Sequence, residues 1–456
     1  NTLYIAHRNY PPATLVRNDT YDWVLSDIIF TGQPTEWVAG NYPGVVGFHE
    51  QRLFLSATKD QSQTFWASKI GEPYTDFTIG TNDDAAFKYT IATDKDNRIT
   101  WFSSGDFLMM GTTGGEFKIG STDFKQTITP TNVRATRQTN YGAAFVRPIR
   151  IGTEVIFVQK GGLKVRNLEY SLERDKYAAE DLTFLSEHIT KGGIIDVDYQ
   201  NEPDSIGWFL LAKGDLVGMA YEPELNTIGW FRYNMENTII RSVAVIDGYF
   251  DVSYDEVWVA VDRIINSQQV RYIEILEPSL KLLENIEDSF YVDSGLSLPL
   301  NQLPTNVVTG LDHLEGETVD LLVDGLVHPS QTVVSGSVTL NTQATKAVHA
   351  GLGFTSTLRT LRIEGGNPIG TSQGKIKRIK KVQIRLNRSL GLKVGDENLD
   401  WDFFGPPVMN QSNELFTGDR EIELDDGYSK DAEFNIVQDQ PLPTTIVAVM
   451  PEARTE

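Results

Sequence analysis

The sequence predicts an all-β chain: a β-propeller of about six blades followed by small β-barrel or β-sandwich domains. Six times an apolar strand runs into a short polar turn and back into a second apolar strand. The segments are LYIAHRNYPPATLVR, RLFLSATKDQSQTFWAS, DFLMMGTTGGEFKIG, EVIFVQKGGLKVRNLEY, GWFLLAKGDLVGMAYE and EVWVAVDRIINSQQVRYIEIL. Their markers Leu3, Leu53, Phe107, Val155, Trp208 and Val257 recur about every 50 residues, a period typical of propeller repeats. The apolar runs are short and broken by Gly and polar residues, and none is long enough to cross a bilayer as a helix. One four-stranded sheet cannot bury both faces alone, so repeats of this kind must stack.

Residues 1–290 are assigned to the propeller. Gly114-Gly115, Gly161-Gly162 and Gly214-Asp215 fall between strands, where tight hairpins need positive φ. Trp23, Trp66, Trp101, Trp208, Trp230 and Trp258 lie in or beside strands and are expected to fill the wedges between blades. The segment YSLERDKYAAEDLTFLSEHI (170–189) breaks the pattern: its spacing predicts a short helical insertion with Leu182, Leu185 and Ile189 on one face. The chain opens on Asn1 in what reads as mid-blade, so an upstream segment is expected to be missing or trimmed.

After IEILEP the period stops. Residues 291–373 read as a small β domain with strands around Val319–Val323 and Val333–Leu340. Residues 374–456 read as a C-terminal β domain. In it Val382, Ile384 and Leu386 alternate with Lys381, Gln383, Arg385 and Asn387, a half-buried strand with one basic face.

The formal net charge of −22, from 40 Lys+Arg against 62 Asp+Glu, disfavours a protein that wraps nucleic acid by neutralising phosphates. It fits either a wall along which DNA slides or simple solubility. With no Cys, disulfides, thiolate metal sites and Cys nucleophiles are excluded together. The six His residues form no HExxH or HxH pair, and Walker A and GxSxG sequences are absent. TTGGEFKIG lacks the helix that a phosphate loop requires and reads as a hairpin turn. No catalytic, cofactor-binding or metal-ligating residue is therefore assigned, and no enzymatic activity or cofactor is expected.

Three clusters remain. Asp312, Glu315, Glu317 and Asp320 in DHLEGETVD fit a solvent-facing turn, although paired carboxylates can hydrolyse glycosides and oxygen-rich loops can hold calcium. Thr58, Asp60 and Thr64 in TKDQSQTF match the Asp-box of sialidase-type propellers except that Ser62 replaces its Gly, which predicts a structural hairpin turn. Lys375, Lys377, Arg378, Lys380, Lys381, Arg385 and Arg388 are the one concentrated basic feature. They read as a solvated strand face or as a contact with an acidic neighbouring subunit, DNA or an anionic membrane. The acidic stretch Glu421, Glu423, Asp425 and Asp426 is the candidate partner across a subunit boundary.

NYPGVVGFHEQRLFLSATKDQSQTFWASKIGEPYTDF (41–77) resembles the tail nozzle, or tail hub, proteins of short-tailed bacteriophages (podoviruses). Further similar stretches follow in order: TNVRATRQTNYGAAFVRPIRIGTEVIFVQKGG within 131–194, YVDSGLS (291–297), GLDHLEGETVDLLVDG (310–325) and QDQPLPTTIVAVMPE (438–452). The resemblance implies a virion tail protein that forms a homo-oligomeric, hexameric ring and conducts DNA during ejection. It also implies a head-to-tail adaptor, tail fibres or spikes and a tail plug or needle as partners. The chain departs from longer members at its start, which bears on adaptor docking, and in the short link between Trp37 and Tyr42. The alternative is a propeller-type glycoside hydrolase, a depolymerase of a phage tail, which would need converging carboxylates in one pocket.

Overall fold

The structure, a computed structural model, describes residues 2–455 except 94–95, 123–125, 174, 226, 236, 249–253, 278–284, 299–301, 368–369, 396, 399–413 and 425–426. All the regular elements described are β-strands apart from short 3₁₀ turns. The chain divides into two compact units, Asn1–Asn234 with Ile239–Ala260, and Met235–Thr238 with Val261–Glu456.

Successive antiparallel sheets form along the first part of the chain, each strand pairing only with its sequence neighbours. The first sheet has three strands, Thr2–His7, Tyr10–Asp19 and Asp22–Asp27. Four four-stranded sheets follow, spanning 45–90, 99–139, 149–178 and 194–233. A sixth, three-stranded sheet, Thr238–Ile246, Glu256–Ile265 and Gln268–Leu276, contains the division between the units, ahead of the boundary expected at 290.

Inner strands of these sheets read as continuous apolar runs because both their faces are buried. In Arg52–Ser56, Leu53 and Leu55 join Trp37, Trp66 and Phe77, while Phe54 turns to Phe65, Phe87, Phe102 and Met110. In Glu154–Val158, Val155 and Phe157 pack with Trp101 and Met109, while Ile156 and Val158 join Phe209, Val217 and Met219. Adjacent sheets thus share cores pairwise, a propeller-like stacking. Each large apolar side chain so buried contributes about 1.5–3 kcal/mol.

Two glycines are required by geometry. A Cβ on Gly111 would sit 2.1 Å from the Trp101 ring, so only glycine lets the indole lie across that strand. Gly214, at φ 91°, makes the hairpin turn between Ile206–Leu211 and Leu216–Glu222.

Two sequence expectations are corrected here. The helical insertion near 170–189 does not form. The strand Val165–Ser171 pairs with a short strand Lys176–Ala178, and turns follow. Asp181 accepts hydrogen bonds from the Thr183 amide (3.0 Å) and hydroxyl (2.6 Å), a local side-chain turn that competes with helix. Leu182 and Ile189 do reach the core, but Leu185 is 89% exposed, so the three share no face. Trp23 fills no wedge: it stands half-exposed on the outermost strand of the first sheet, with the Arg17 guanidinium 5.8 Å from its ring.

In the second unit, Asp293–Ser297, Val348–Leu352, Thr318–Val323 and Leu326–Thr332 form one sheet in that order, and Thr305–Thr309 pairs with Ser337–Ala344. Leu311, Leu314, Val319, Leu321 and Val348 make its core. Farther on, a sheet ordered Ser356–Arg359, Asn435–Gln438, Leu392–Val394, Glu397–Asn398 shares a core with a sheet ordered Phe416–Glu423, Lys377–Ser389, Ile446–Thr455. The pairing of Ser356–Arg359 with Asn435–Gln438 crosses the domain boundary expected at 373/374.

Arg263, 1% exposed, is a hub of this unit. Its guanidinium donates to Glu274 (2.8 and 2.6 Å), Asp293 (2.6 and 2.7 Å) and the Thr238 hydroxyl (2.9 Å). Burial alone would lower its basicity; the bonds to Glu274 and Asp293 outweigh that and hold it above the ordinary arginine value. Arg263→Ala leaves two partly buried carboxylates facing each other with only Ser294 as a donor and is expected to destabilise the second unit by about 3 kcal/mol, read as an earlier unfolding transition in urea.

Glu116, fully buried in the third sheet, accepts a hydrogen bond from the Thr139 hydroxyl through Oε2, while Oε1 has no partner. Burial pushes its carboxyl from 4.5 up to about 7 against the pull of Thr139, the Tyr141 backbone and Arg166. The folded state therefore holds this proton more tightly than the unfolded chain. Its stabilising contribution is complete below about 4.5 and lost as pH rises through about 7. Glu116→Gln is expected to remove that pH dependence and to stabilise the first unit by about 2–3 kcal/mol at pH 8, measured by chemical denaturation at several pH values.

Candidate interaction surface

The basic run of the sequence forms the strand Lys377–Ser389, central in its sheet between Phe416–Glu423 and Ile446–Thr455. Val382, Ile384 and Leu386 are buried beneath it, and Lys381, Gln383 and Arg385 lie on the outer face, as the alternation predicts. Across this face Lys381 stands opposite Glu423 and Glu452, and Gln383 opposite Glu421 and Met450. Arg385 stands opposite Asp419 and Ala448.

The cations are engaged within the chain. Lys381 Nζ lies 3.0 Å from Glu421 and 3.6 Å from Glu452. Arg385 holds Asp419 through two parallel bonds of 2.7 and 3.0 Å. The Glu421 bond raises the Lys381 ammonium above its ordinary value; the Asp419 bond does the same for Arg385, and Arg385 in turn lowers the Asp419 carboxyl. Lys377 is buried, with Nζ 3.3 Å from the Lys430 carbonyl. The Arg378 guanidinium lies 5.9 Å from the Tyr428 ring. The Arg388 amide donates to the Thr417 hydroxyl at 3.0 Å. Lys375 and Lys380 are exposed, and their ammonium groups have no partner among the described residues.

The structure thus brings together Lys381 and Glu421, which were expected to meet across a subunit boundary, as cross-strand neighbours of one chain. Glu423 extends the same acidic edge, while Asp425 and Asp426 lie outside the described residues. Asp419 and Glu452, which anchor the other ends of the ladder, were missed because they sit far apart in sequence and only the sheet order unites them. Asp419, Glu421, Glu423 and Glu452 thus surround Lys381 and Arg385, so these two cations offer an approaching polyanion little unpaired charge.

The other clusters serve the framework. Glu315 accepts from the Ser335 and Gly336 amides (2.9 and 2.7 Å), Glu317 from the Asn266 amide (2.7 Å) and Asp320 from the Ser330 hydroxyl (2.6 Å). In the Asp-box-like turn, buried Thr58 accepts from the Gln61 amide at 3.1 Å and Thr64 meets Thr90 at 2.8 Å. The Asp60 amide is bound by Asn41 at 3.0 Å, a substitute for the turn contacts expected of its carboxylate. His49 and His349 are buried against Ser104 and Ser297. Among the described residues no group of three His, Asp or Glu could hold a metal ion.

No family model and no curated protein matches the chain. Solved structures do. Human WBSCR16 is similar at 12% identity and a TM-score of 0.30, over 56% of this chain and 71% of that one. A Bacteroides uniformis structure assigned as a 6-phosphogluconolactonase is similar at 10% identity and a TM-score of 0.36, over 60% and 84%. A luciferin-regenerating enzyme is similar at 10% identity and a TM-score of 0.23, over 50% and 88%. Two of these three carry an enzyme's name, which stands against the expectation that the chain has no enzymatic activity, and at these identities and TM-scores the likeness assigns it none.

Reversing both cations (Lys381→Glu with Arg385→Glu) sets like charges side by side on neighbouring strands. The double variant is expected to melt below the parent at low salt and to recover most of the difference at 1 M salt, where a Debye length of about 3 Å screens exposed charges.

Proposed function

We propose that the chain is a structural subunit of a short-tailed phage's tail nozzle or hub, a ring through which DNA passes during ejection. The observation that carries this reading is the ordered resemblance of five separate stretches, from Asn41 to Glu452, to that family. The successive sheets of 2–276 are read as about six propeller blades, and the paired sheets of 356–455 as a β-sandwich. Six copies close the ring, with the adaptor on one side and fibres, spikes and a plug or needle on the other.

Two physical features support it. A net charge of −22 gives a passing polyanion few places to bind, so DNA is not braked. The concentrated basic strand is edged by Asp419, Glu421 and Glu452, which removes the one obvious phosphate trap. Its outer face then serves contacts between chains, with Lys375 and Lys380 as the cations left for a neighbour.

Light scattering after gel filtration is expected to give a hexamer, and electron microscopy a ring with an axial channel. Fluorescence anisotropy is expected to show negligible affinity for duplex DNA at 150 mM salt. A monomer at every concentration, or tight and salt-sensitive DNA binding, would overturn the reading.

A further inference from the structure

A cleft of about 240 Å³ opens in the second unit where two sheets that share a core leave a seam. Edge strands flank it: Ser356–Arg359 of one sheet and the start of Ile446–Thr455 of the other. Ser356, Gln438 and Leu392 lie side by side across one sheet, with Leu358 and Ile436 in the next rung. Ile436 and Leu392 make an apolar floor, and Tyr291 and Phe354 bring two aromatic rings to the wall.

The polar groups divide into those already engaged and those available. Gln438 donates from Nε2 to the Leu390 carbonyl (2.7 Å) and the Thr444 hydroxyl (2.7 Å), and accepts from the Gln440 amide (3.1 Å). These bonds fix the wall. The Ser356 hydroxyl and the side-chain amide of Gln440 line the same cleft with no partner among the described residues, whereas Thr357, opposite Val437, turns its side chain to the other face of the sheet. Phe354 is 42% exposed. Among the described residues no charged one lines the cleft, and two charges on its strands are engaged, Arg359 with Glu433 and Lys393 with Asp439.

This chemistry selects a ligand class. An ion would lose hydration with no opposite charge to replace it. A wholly apolar ligand would leave the Ser356 hydroxyl and the Gln440 amide unpaired on desolvation. A saturated ring with apolar C–H faces and neutral hydroxyls at its edge meets both demands: faces against Phe354 and the apolar floor, hydroxyls to Ser356 and Gln440. The volume lies below the roughly 300–1,000 Å³ of pockets for drug-sized ligands, so one ring is the fitting unit. We propose that this cleft binds a single neutral pyranose ring, free or as one unit of a glycan. The inference is independent of the tail assignment and stands or falls with the cleft.

Saturation-transfer NMR and calorimetry on the full chain with glucose, galactose, mannose and N-acetylglucosamine test it. At least one is expected to bind, and glucuronic acid more weakly than glucose. Phe354→Ala is expected to weaken the bound sugar about tenfold or more, Gln440→Ala about three- to tenfold, and Phe354→Trp to retain binding. Gln440→Ala removes only an unpartnered amide, so it reads the site even if Phe354→Ala fails to fold. Silence with all four neutral sugars would overturn the proposal. So would unchanged affinity in Gln440→Ala together with Phe354→Ala, or binding confined to an extended peptide.

Discussion

Burial of both faces of thin sheets is the constraint on which the first unit depends. A sheet of three or four short strands has too little edge-to-edge width to enclose a core, so each face must find a neighbouring sheet. Leu53 and Phe54 are adjacent in sequence yet belong to different cores, as do Val155 and Ile156. A one-residue slip of such a strand would exchange its two neighbours rather than expose it to water. Register must therefore be set by shape and by polar anchors, not by hydrophobicity alone.

Anchors of this kind sit at strand starts. Arg52 is fully buried and donates to the carbonyls of Ser68 (2.6 Å), Asp83 (2.6 Å) and Ala85 (2.7 Å), tying its hairpin to the loop that leads into the last strand, Phe87–Thr90. Glu154 occupies the same place in the fourth sheet and accepts from Asn167 (3.0 Å) and Tyr221 (2.8 Å), the latter from the fifth sheet. Burial and then the Glu154 bond hold the Tyr221 phenol well above its ordinary value. A buried carboxylate adds little net stability, but its loss of partners is costly, so the pair fixes one register against alternatives. Arg263 plays that part in the second unit with a fuller set of partners.

What the sequence revealed follows from the same constraint. Doubly buried strands are continuous apolar runs, and these were legible at Leu53, Val155 and Trp208. The alternation from Lys381 to Asn387 was legible because only one face of that strand is buried. The 170–189 segment misled because Leu182 and Ile189 both reach the core, from separate turns, at a spacing a helix would also give. Nothing local distinguishes those cases; the difference lies in the Asp181 turn and in the Trp230 indole, which takes the Leu182 carbonyl at 2.9 Å. The cleft beside Phe354 was invisible for a stronger reason: its walls come from 291, 354–358, 392 and 436–446, joined only by sheet order.

Charge is distributed on the same principle. A chain this acidic could carry its excess as separate acidic and basic regions, and the sequence, with its basic run and its acidic stretch, reads that way. Folding interleaves them: Asp419, Lys381, Arg385 and Glu452 come from three strands and alternate across one face. Such exposed pairs contribute little stability individually. Their larger consequence is for the field, because a cation flanked by carboxylates on neighbouring strands presents no lasting positive potential beyond a Debye length of about 8 Å at physiological salt. At that distance the ladder around Lys381 and Arg385 presents paired charge, whereas the cleft beside Phe354 is lined by no charged side chain among the described residues.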